Sequence, residues 1–152
     1  MCYETEKRDT VILKMSELVR FGVSLEKSLL DRFDDLIREK QYTNRSEALR
    51  DMIRRELVQR EWREGGEVAG AITLTYDHHQ RDVISKVTDT QHGFQGVIIS
   101  AQHIHLDHHN CLEIIAVRGK AEEVQRLADA LTSIKGVRHG TLSMSSTGRE
   151  IG

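Results

Sequence analysis

The sequence predicts an α+β chain built from two unlike units. A short alternating segment and two helical stripes occupy residues 18–63, and after Gly65-Gly66 the apolar pattern switches to the order βαββαβ over 67–147. All 8 histidines lie in the second unit, while the first carries acidic and basic residues evenly mixed. The order βαββαβ is the ferredoxin-like pattern, an antiparallel sheet with both helices on one face. With 152 residues and a formal net charge of −2, the chain fits one domain or two small ones. It has no global basic field, so any nucleic-acid contact must be local.

Residues 1–17 are polar and unpatterned apart from Val11-Ile12-Leu13, and read as a flexible N-terminal extension with Met15 as an alternative start. The opening Met1-Cys2-Tyr3-Glu4 lacks the basic-then-apolar order of a signal peptide, and no apolar run is long enough to cross a bilayer. A cytoplasmic protein without membrane association is expected. The two cysteines, Cys2 and Cys111, make no disulfide framework; Cys111, among histidines, reads as a reduced thiol available to a metal.

Arg20-Phe21-Gly22-Val23-Ser24 alternates as a short strand does, with Phe21 and Val23 on one face and Arg20, Gly22 and Ser24 on the other. A helix over about 25–40 follows, with an apolar stripe of Leu25, Leu29, Phe33, Leu36 and Ile37. Asn44 reads as the N-cap of a second helix, with Glu47 in its third position as a capping-box variant. That helix runs to about Trp62, with Ala48, Leu49, Met52, Ile53 and Leu57 inward. One strand and two helices in ~45 residues bury too little to stand alone, and a lone strand has nothing to pair with. Two copies solve both problems by pairing their strands antiparallel and interlocking four helices. The paired strands make a ribbon that the major groove of double-stranded DNA admits. Arg20 and Ser24 would face base edges, and Arg45 and the helix N-terminus at Asn44 would meet phosphate. The competing reading is a helix pair that serves oligomerisation alone, since Arg20 and Ser24 are common residue types.

Gly65-Gly66 is the expected domain boundary. Beyond it, 71–76 reads as a strand and 79–91 as a helix with Val83, Ile84 and Val87 inward. A hairpin over 96–118, a helix over 121–134 and a last strand over 137–144 complete the unit. The hairpin carries His103-Ile104-His105-Leu106-Asp107-His108-His109-Asn110-Cys111. His103 and His105 share a strand face with Ile104 opposite, the Asp107–Asn110 segment turns, and the return brings Cys111 back near both imidazoles. Two imidazoles and a thiolate suit a late divalent transition metal; the alternative is a histidine-rich surface turn that binds nothing.

The segments Tyr42-Thr43-Asn44-Arg45-Ser46-Glu47-Ala48-Leu49-Arg50-Asp51, Thr90-Gln91-His92, His103-Ile104-His105, Cys111-Leu112-Glu113 and Gly136-Val137-Arg138-His139-Gly140 occur here in this order. With them the chain resembles the NikR-type nickel-responsive repressors over residues 16–145. The resemblance implies a dimeric ribbon-helix-helix domain followed by an ACT-type domain that binds metal and tetramerises. It implies Ni(II), one ion per subunit, held by His103, His105 and Cys111 together with His92 from a neighbouring subunit of a homotetramer, a dimer of dimers. It gives Glu113 a role in supporting the ligands. Glu47 and Asp51, by spacing a solvated acidic edge, become a weaker cation site near the domain interface. The implied target is a palindromic operator, such as that of nickel-uptake genes. The chain departs from the family in having Gly22 where the ribbon usually places a polar side chain, so the family's operator sequence does not carry over.

Three imidazoles and a thiolate suit Ni(II) or Cu(II) in square-planar form and Zn(II) in tetrahedral form, and affinity alone ranks copper above nickel. Nickel selectivity must come from geometry and from which metals are available. His108 and His109 read as solvated turn residues, His78 and His79 as surface residues able to bind a second metal weakly. His139 is a satisfied strand histidine or a support for a ligand. A nickel-dependent repressor, not an enzyme, is the expected function. The alternative is a metal-dependent hydrolase, which needs an open coordination position and a general base; four candidate ligands leave no obvious site for water, and Glu113 is the one placed candidate base. A metal-storage protein would leave residues 18–60 unexplained.

Overall fold

Two helices open the fold, α1 (Lys27–Glu39) and α2 (Arg45–Arg63), in a computed structural model that describes residues 18–149 and 151. The extension expected over 1–17 lies outside the described residues. α1 ends where Gln41 takes a left-handed φ of 57° and the Tyr42 amide donates to the Ile37 carbonyl at 3.0 Å, satisfying an acceptor the helix end would leave open. Asn44 caps α2 as its position in the sequence implies, its Oδ1 accepting from the Glu47 amide at 2.9 Å. The reciprocal half of the capping box does not form, because the Glu47 carboxylate pairs with Arg50 at 2.6 Å. α2 closes on Gly65, at φ 76°, with the Gly66 amide on the Glu61 carbonyl at 3.0 Å.

The strand expected over Arg20–Ser24 does not form in the single chain, where residues 18–26 are neither helix nor strand. A strand needs a neighbour for its N–H and C=O groups, and the molecule's four-stranded sheet includes no part of this segment. Leu18, Val19, Phe21 and Val23 are between 60% and 79% exposed. Leu29, Met52 and Ile53, placed inward by helical periodicity, are exposed too, and only Ile37 and Ala48 are buried in the two helices. Exposed apolar side chains in this number, all on one small unit, mark an interaction face.

Beyond Gly66 the chain runs β1 (Glu67–Asp77), α3 (Arg81–Gly93), β2 (Ile98–His105), β3 (Asn110–Lys120), α4 (Ala121–Thr132) and β4 (Val137–Ser146). The strands make one antiparallel sheet in the order β2-β3-β1-β4, the ferredoxin-like arrangement that βαββαβ predicts. β1 starts earlier than its apolar run, because Glu67 and Val68 find ladder partners in Lys120 and Ser146. Alternation along the strands decides the faces. Val68, Ile72, Leu74 and Tyr76 of β1, with Cys111, Ile115 and Val117 of β3, are buried against Val83 and Val87 of α3 and Val124, Leu127 and Leu131 of α4. Full burial of a Leu, Ile or Val contributes about 1.5–3 kcal/mol. Gly136, at φ 107°, turns the chain into β4 where a Cβ would collide with Val83. Trp62 ties the first unit to the second, its Nε1 donating to the Ser145 carbonyl at 2.9 Å. Among the described residues no helix is long and apolar enough to cross a membrane.

Candidate metal centre

β2 is an edge strand, and its register against β3 sets His103 opposite Glu113 and His105 opposite Cys111. Residues opposite one another on antiparallel neighbours point to the same face. Both imidazoles, the thiol and the carboxylate therefore share the sheet face that carries the helices, and Ile104 points away. Cys111 is fully buried and its Sγ donates to the Tyr76 carbonyl at 3.2 Å. Burial pushes the Cys111 thiol up, and hydrogen bonding around Tyr76 offsets only part of that rise. Cys111 is a thiol at neutral pH and must release its proton to bind a metal.

Glu113, 7% exposed, accepts from the Tyr76 hydroxyl at 2.5 Å and from Gln91 Nε2 at 2.6 Å. The Tyr76 oxygen lies 3.5 Å from His103 Nδ1, and the two rings meet edge-on. Glu113 thus steadies His103 through Tyr76. Burial, then the hydrogen bond to Glu113, holds the Tyr76 hydroxyl protonated far above the usual tyrosine range. The sequence reading missed Tyr76 and Gln91, although both carried a signal. Tyr76 continues the inward alternation of Ile72 and Leu74, and Gln91 follows Val83 and Val87 at four-residue spacing.

His78 is not the surface residue its sequence context suggests. It is half-buried, its ring meets His105 edge-on at 4.7 Å between centroids, and its Nδ1 is shielded from solvent with no hydrogen-bond partner among the described residues. Burial, with His79 and His105 beside it, pushes its pKa down and keeps the ring neutral. His92, exposed on α3, lines a shallow groove with Gln91, Gln95 and Ile98 and is not among the rings that contact His103 or His105 in its own chain. His139 is exposed on β4, opposite Thr75. The hairpin turn is fixed by Asp107, whose Oδ1 accepts from the amides of His109 and Asn110 at 2.8 Å each. The Asn110 side chain and these amides hold its carboxyl at about 2. Among the described residues, His79, His108 and His109 are the group of three metal-ligating side chains whose donor atoms all lie within 4.8 Å of one another. His103, His105 and Cys111 are aligned by register without being drawn that close.

In the first unit, Arg20, Gly22 and Ser24 are exposed on the segment without regular structure. Arg45 holds Asp34 through two hydrogen bonds of 2.8 and 2.7 Å, which keeps that carboxyl below its usual range, so a phosphate would have to take Asp34's place. The Asn44 side chain is engaged in its cap. Glu47 and Asp51 do not stand as a free acidic pair. Glu47 pairs with Arg50 at 2.6 Å, and Asp51 pairs with Arg55 at 2.5 Å while accepting the Tyr42 hydroxyl. These arginines already provide the positive charge that a bound cation would bring.

Residues 69–145 match a family model described as the NikR C terminal nickel binding domain, and residues 19–60 match one described as a ribbon-helix-helix protein of the copG family. A relative from Syntrophus aciditrophicus, named as a nickel-responsive regulator, is 60% identical over 135 residues, 89% of this chain and 98% of its own length. One of the same name from Chlorobium limicola is 60% identical over 134 residues, 88% of this chain and 100% of its own length. A third, from Pyrococcus furiosus, is 52% identical over 135 residues, 88% of this chain and 98% of its own length. Because the likeness runs through both units and nearly the full length of each relative, the chain belongs to the NikR-type nickel-responsive regulators.

Proposed function

We propose that this protein is a transcriptional repressor that binds a palindromic operator, such as that of nickel-uptake genes, when it carries Ni(II). The observation that carries the reading is the register of β2 against β3, which lines His103, His105 and Cys111 along one face of a domain joined to a DNA-binding unit. Two imidazoles and a thiol fit the donor preferences of a late divalent ion. In this reading His103, His105 and Cys111 of one subunit act with His92 of a neighbouring subunit, whose exposed place on α3 suits a role across an interface. One ion per subunit and a homotetramer built as a dimer of dimers follow. Residues 18–63 form the DNA-binding domain and residues 67–147 the metal-binding and tetramerising one.

When bound, nickel supplies coordination bonds that hold side chains of two subunits together. Cys111 would bind as the thiolate, its proton passing to solvent, while Glu113 and Tyr76 would keep His103 in place. The exposed Phe21, Val23, Leu29 and Ile53 pack against a second copy, whose residues 20–24 complete the two-stranded ribbon. Arg20 and Ser24, with the bare backbone of Gly22 between them, face base edges, while Arg45 and the α2 N-terminus at Asn44 face phosphate. The ligand shifts the assembly toward the arrangement that spans both half-sites, because it binds that arrangement better. A regulator of operator DNA works in the cytoplasm, where that DNA is. The test is retention of genomic fragments by the full-length protein with Ni(II) and with a chelator. One set of fragments held with Ni(II) and released by chelation is expected. Equal retention in both conditions overturns the nickel dependence, and no retention in either overturns the DNA-binding role.

A further inference from the structure

We propose that His79, His108 and His109 form a second divalent-metal site, distinct from the centre at His103, His105 and Cys111, that takes a late first-row transition ion such as Ni(II), Cu(II) or Zn(II). The donor atoms of the three side chains all lie within 4.8 Å of one another. Metal–imidazole bonds of about 2.0–2.1 Å set the nitrogens of a tetrahedral site roughly 3.4 Å apart. Small rotations of these exposed rings close that difference. The rings are already gathered: His79 and His108 stack at 11° with centroids 5.3 Å apart, His79 and His109 lie at 5.4 Å, and His108 and His109 at 5.0 Å.

The site joins two connections that are far apart in sequence. His79 stands between β1 and α3, and His108 and His109 form the tip of the β2–β3 hairpin. A backbone hydrogen bond from the His78 amide to the His109 carbonyl, 3.2 Å, holds the two together. Asp77 lies behind His79, its Oδ1 3.0 Å from the His79 amide and 3.3 Å from Nδ1. A carboxylate on one ring nitrogen fixes the tautomer and leaves the other nitrogen's lone pair for a metal, as carboxylates do behind ligating histidines. Asp77 and Asp107, both held below the usual carboxylate range, also place two negative charges beside the three imidazoles, a setting that favours a cation over an anion. With three protein ligands, no thiolate and full solvent access, the ion keeps open positions for water. It is held more weakly than an ion with four protein ligands.

The site stands on its own residues, so its test is separable from that of the thiol-containing centre. Total Ni(II) bound to the full-length protein is measured by equilibrium dialysis, alongside the ultraviolet thiolate-to-metal absorption. The unaltered protein should take up one class of ion that raises this absorption and a second, weaker class that does not. The His108→Ala/His109→Ala variant should lose only the silent class, and Cys111→Ala should keep it. Both changed histidines are exposed, so folding is not at risk. As an independent readout, Cu(II) added in small amounts to Cys111→Ala should broaden the imidazole NMR signals of His79, His108 and His109 before those of His139. The proposal is overturned if the double histidine variant binds as much metal as the parent, or if Cu(II) broadens all histidines alike.

Discussion

Cys111 meets two opposed demands. It is packed at 0% exposure among core residues, with its Sγ on the Tyr76 carbonyl, yet a metal ligand must be an anion. Burial raises its pKa, so nickel entry expels the thiol proton, and affinity must fall as pH drops. Imidazole ligates through an unprotonated ring nitrogen, so the histidine donors compete with protons as the thiolate does. Calorimetric titration in buffers of different ionisation enthalpy should show proton release. An affinity flat between roughly pH 5 and 8 would contradict a histidine–thiolate centre. The same raised pKa has a consequence for the metal-free fold. Its stabilising contribution is complete below the ordinary thiol value of ~8.5 and is lost as pH rises through the folded-state value. Cys111→Ala should abolish tight nickel binding together with its ultraviolet charge-transfer band, leaving the far-ultraviolet circular dichroism unchanged. Parent-like affinity in that variant would remove Cys111 from the centre. At this scale the sequence was informative where chemistry is local. His103, His105 and Cys111 could be placed on one hairpin from alternation alone. The partners that steady them could not, since Tyr76 and Gln91 reach Glu113 only once β1 and α3 have packed across β3.

At the scale of elements, periodicity located each helix and each sheet strand among the described residues, because each pattern is a property of its own segment. Residues 18–26 are the exception, since a strand is a property of a pair. Phe21 and Val23 have the right alternation, and their exposure in the single chain shows what that alternation lacks. The same limit hid the cluster of His79 with His108 and His109, which depends on β1 lying beside β3 and on the tie from the His78 amide to the His109 carbonyl. If residues 20–24 pair into a ribbon, Arg20 lies on its groove face with Gly22 and Ser24. A groove-facing arginine is typically worth ~1–3 kcal/mol of base discrimination. Arg20→Ala should therefore weaken operator binding at matched salt while nickel affinity stays at the parent value. Gly22 adds no side chain to this face, so discrimination rests more heavily on Arg20 and Ser24 than in a ribbon with three polar side chains. Anisotropy titrations of operator against scrambled DNA measure the loss, and equal affinities for parent and variant would show that the ribbon does not read bases through Arg20.

At the scale of the whole molecule, the question is how a metal on one unit is felt by the other. Trp62 connects α2 to β4 at the Ser145 carbonyl, so the two units share a packed joint within each chain. The proposed centre sits at the far edge of the sheet, on β2 and β3, whereas Trp62 meets β4 at the opposite edge. An event confined to one hairpin has the width of the sheet to cross. An event that fastens one subunit to another changes how whole subunits are arranged, and the DNA-binding units move with them. His92 separates these alternatives. It is exposed on α3 and takes no part in the ring contacts around His103 and His105 of its own chain, so its removal leaves three candidate donors on the hairpin intact. His92→Ala should still bind nickel, more weakly, with a coordination position left open to water. A ligand shifts a conformational equilibrium only by its difference in affinity for the two states. Without the donor from the neighbouring subunit that difference shrinks, and saturating Ni(II) should no longer raise operator affinity. Direct metal binding and an operator titration at saturating Ni(II), run on the same preparation, distinguish the outcomes. If His92→Ala keeps the full metal-induced gain in DNA affinity, the signal travels within one subunit, from the hairpin across the sheet to Trp62.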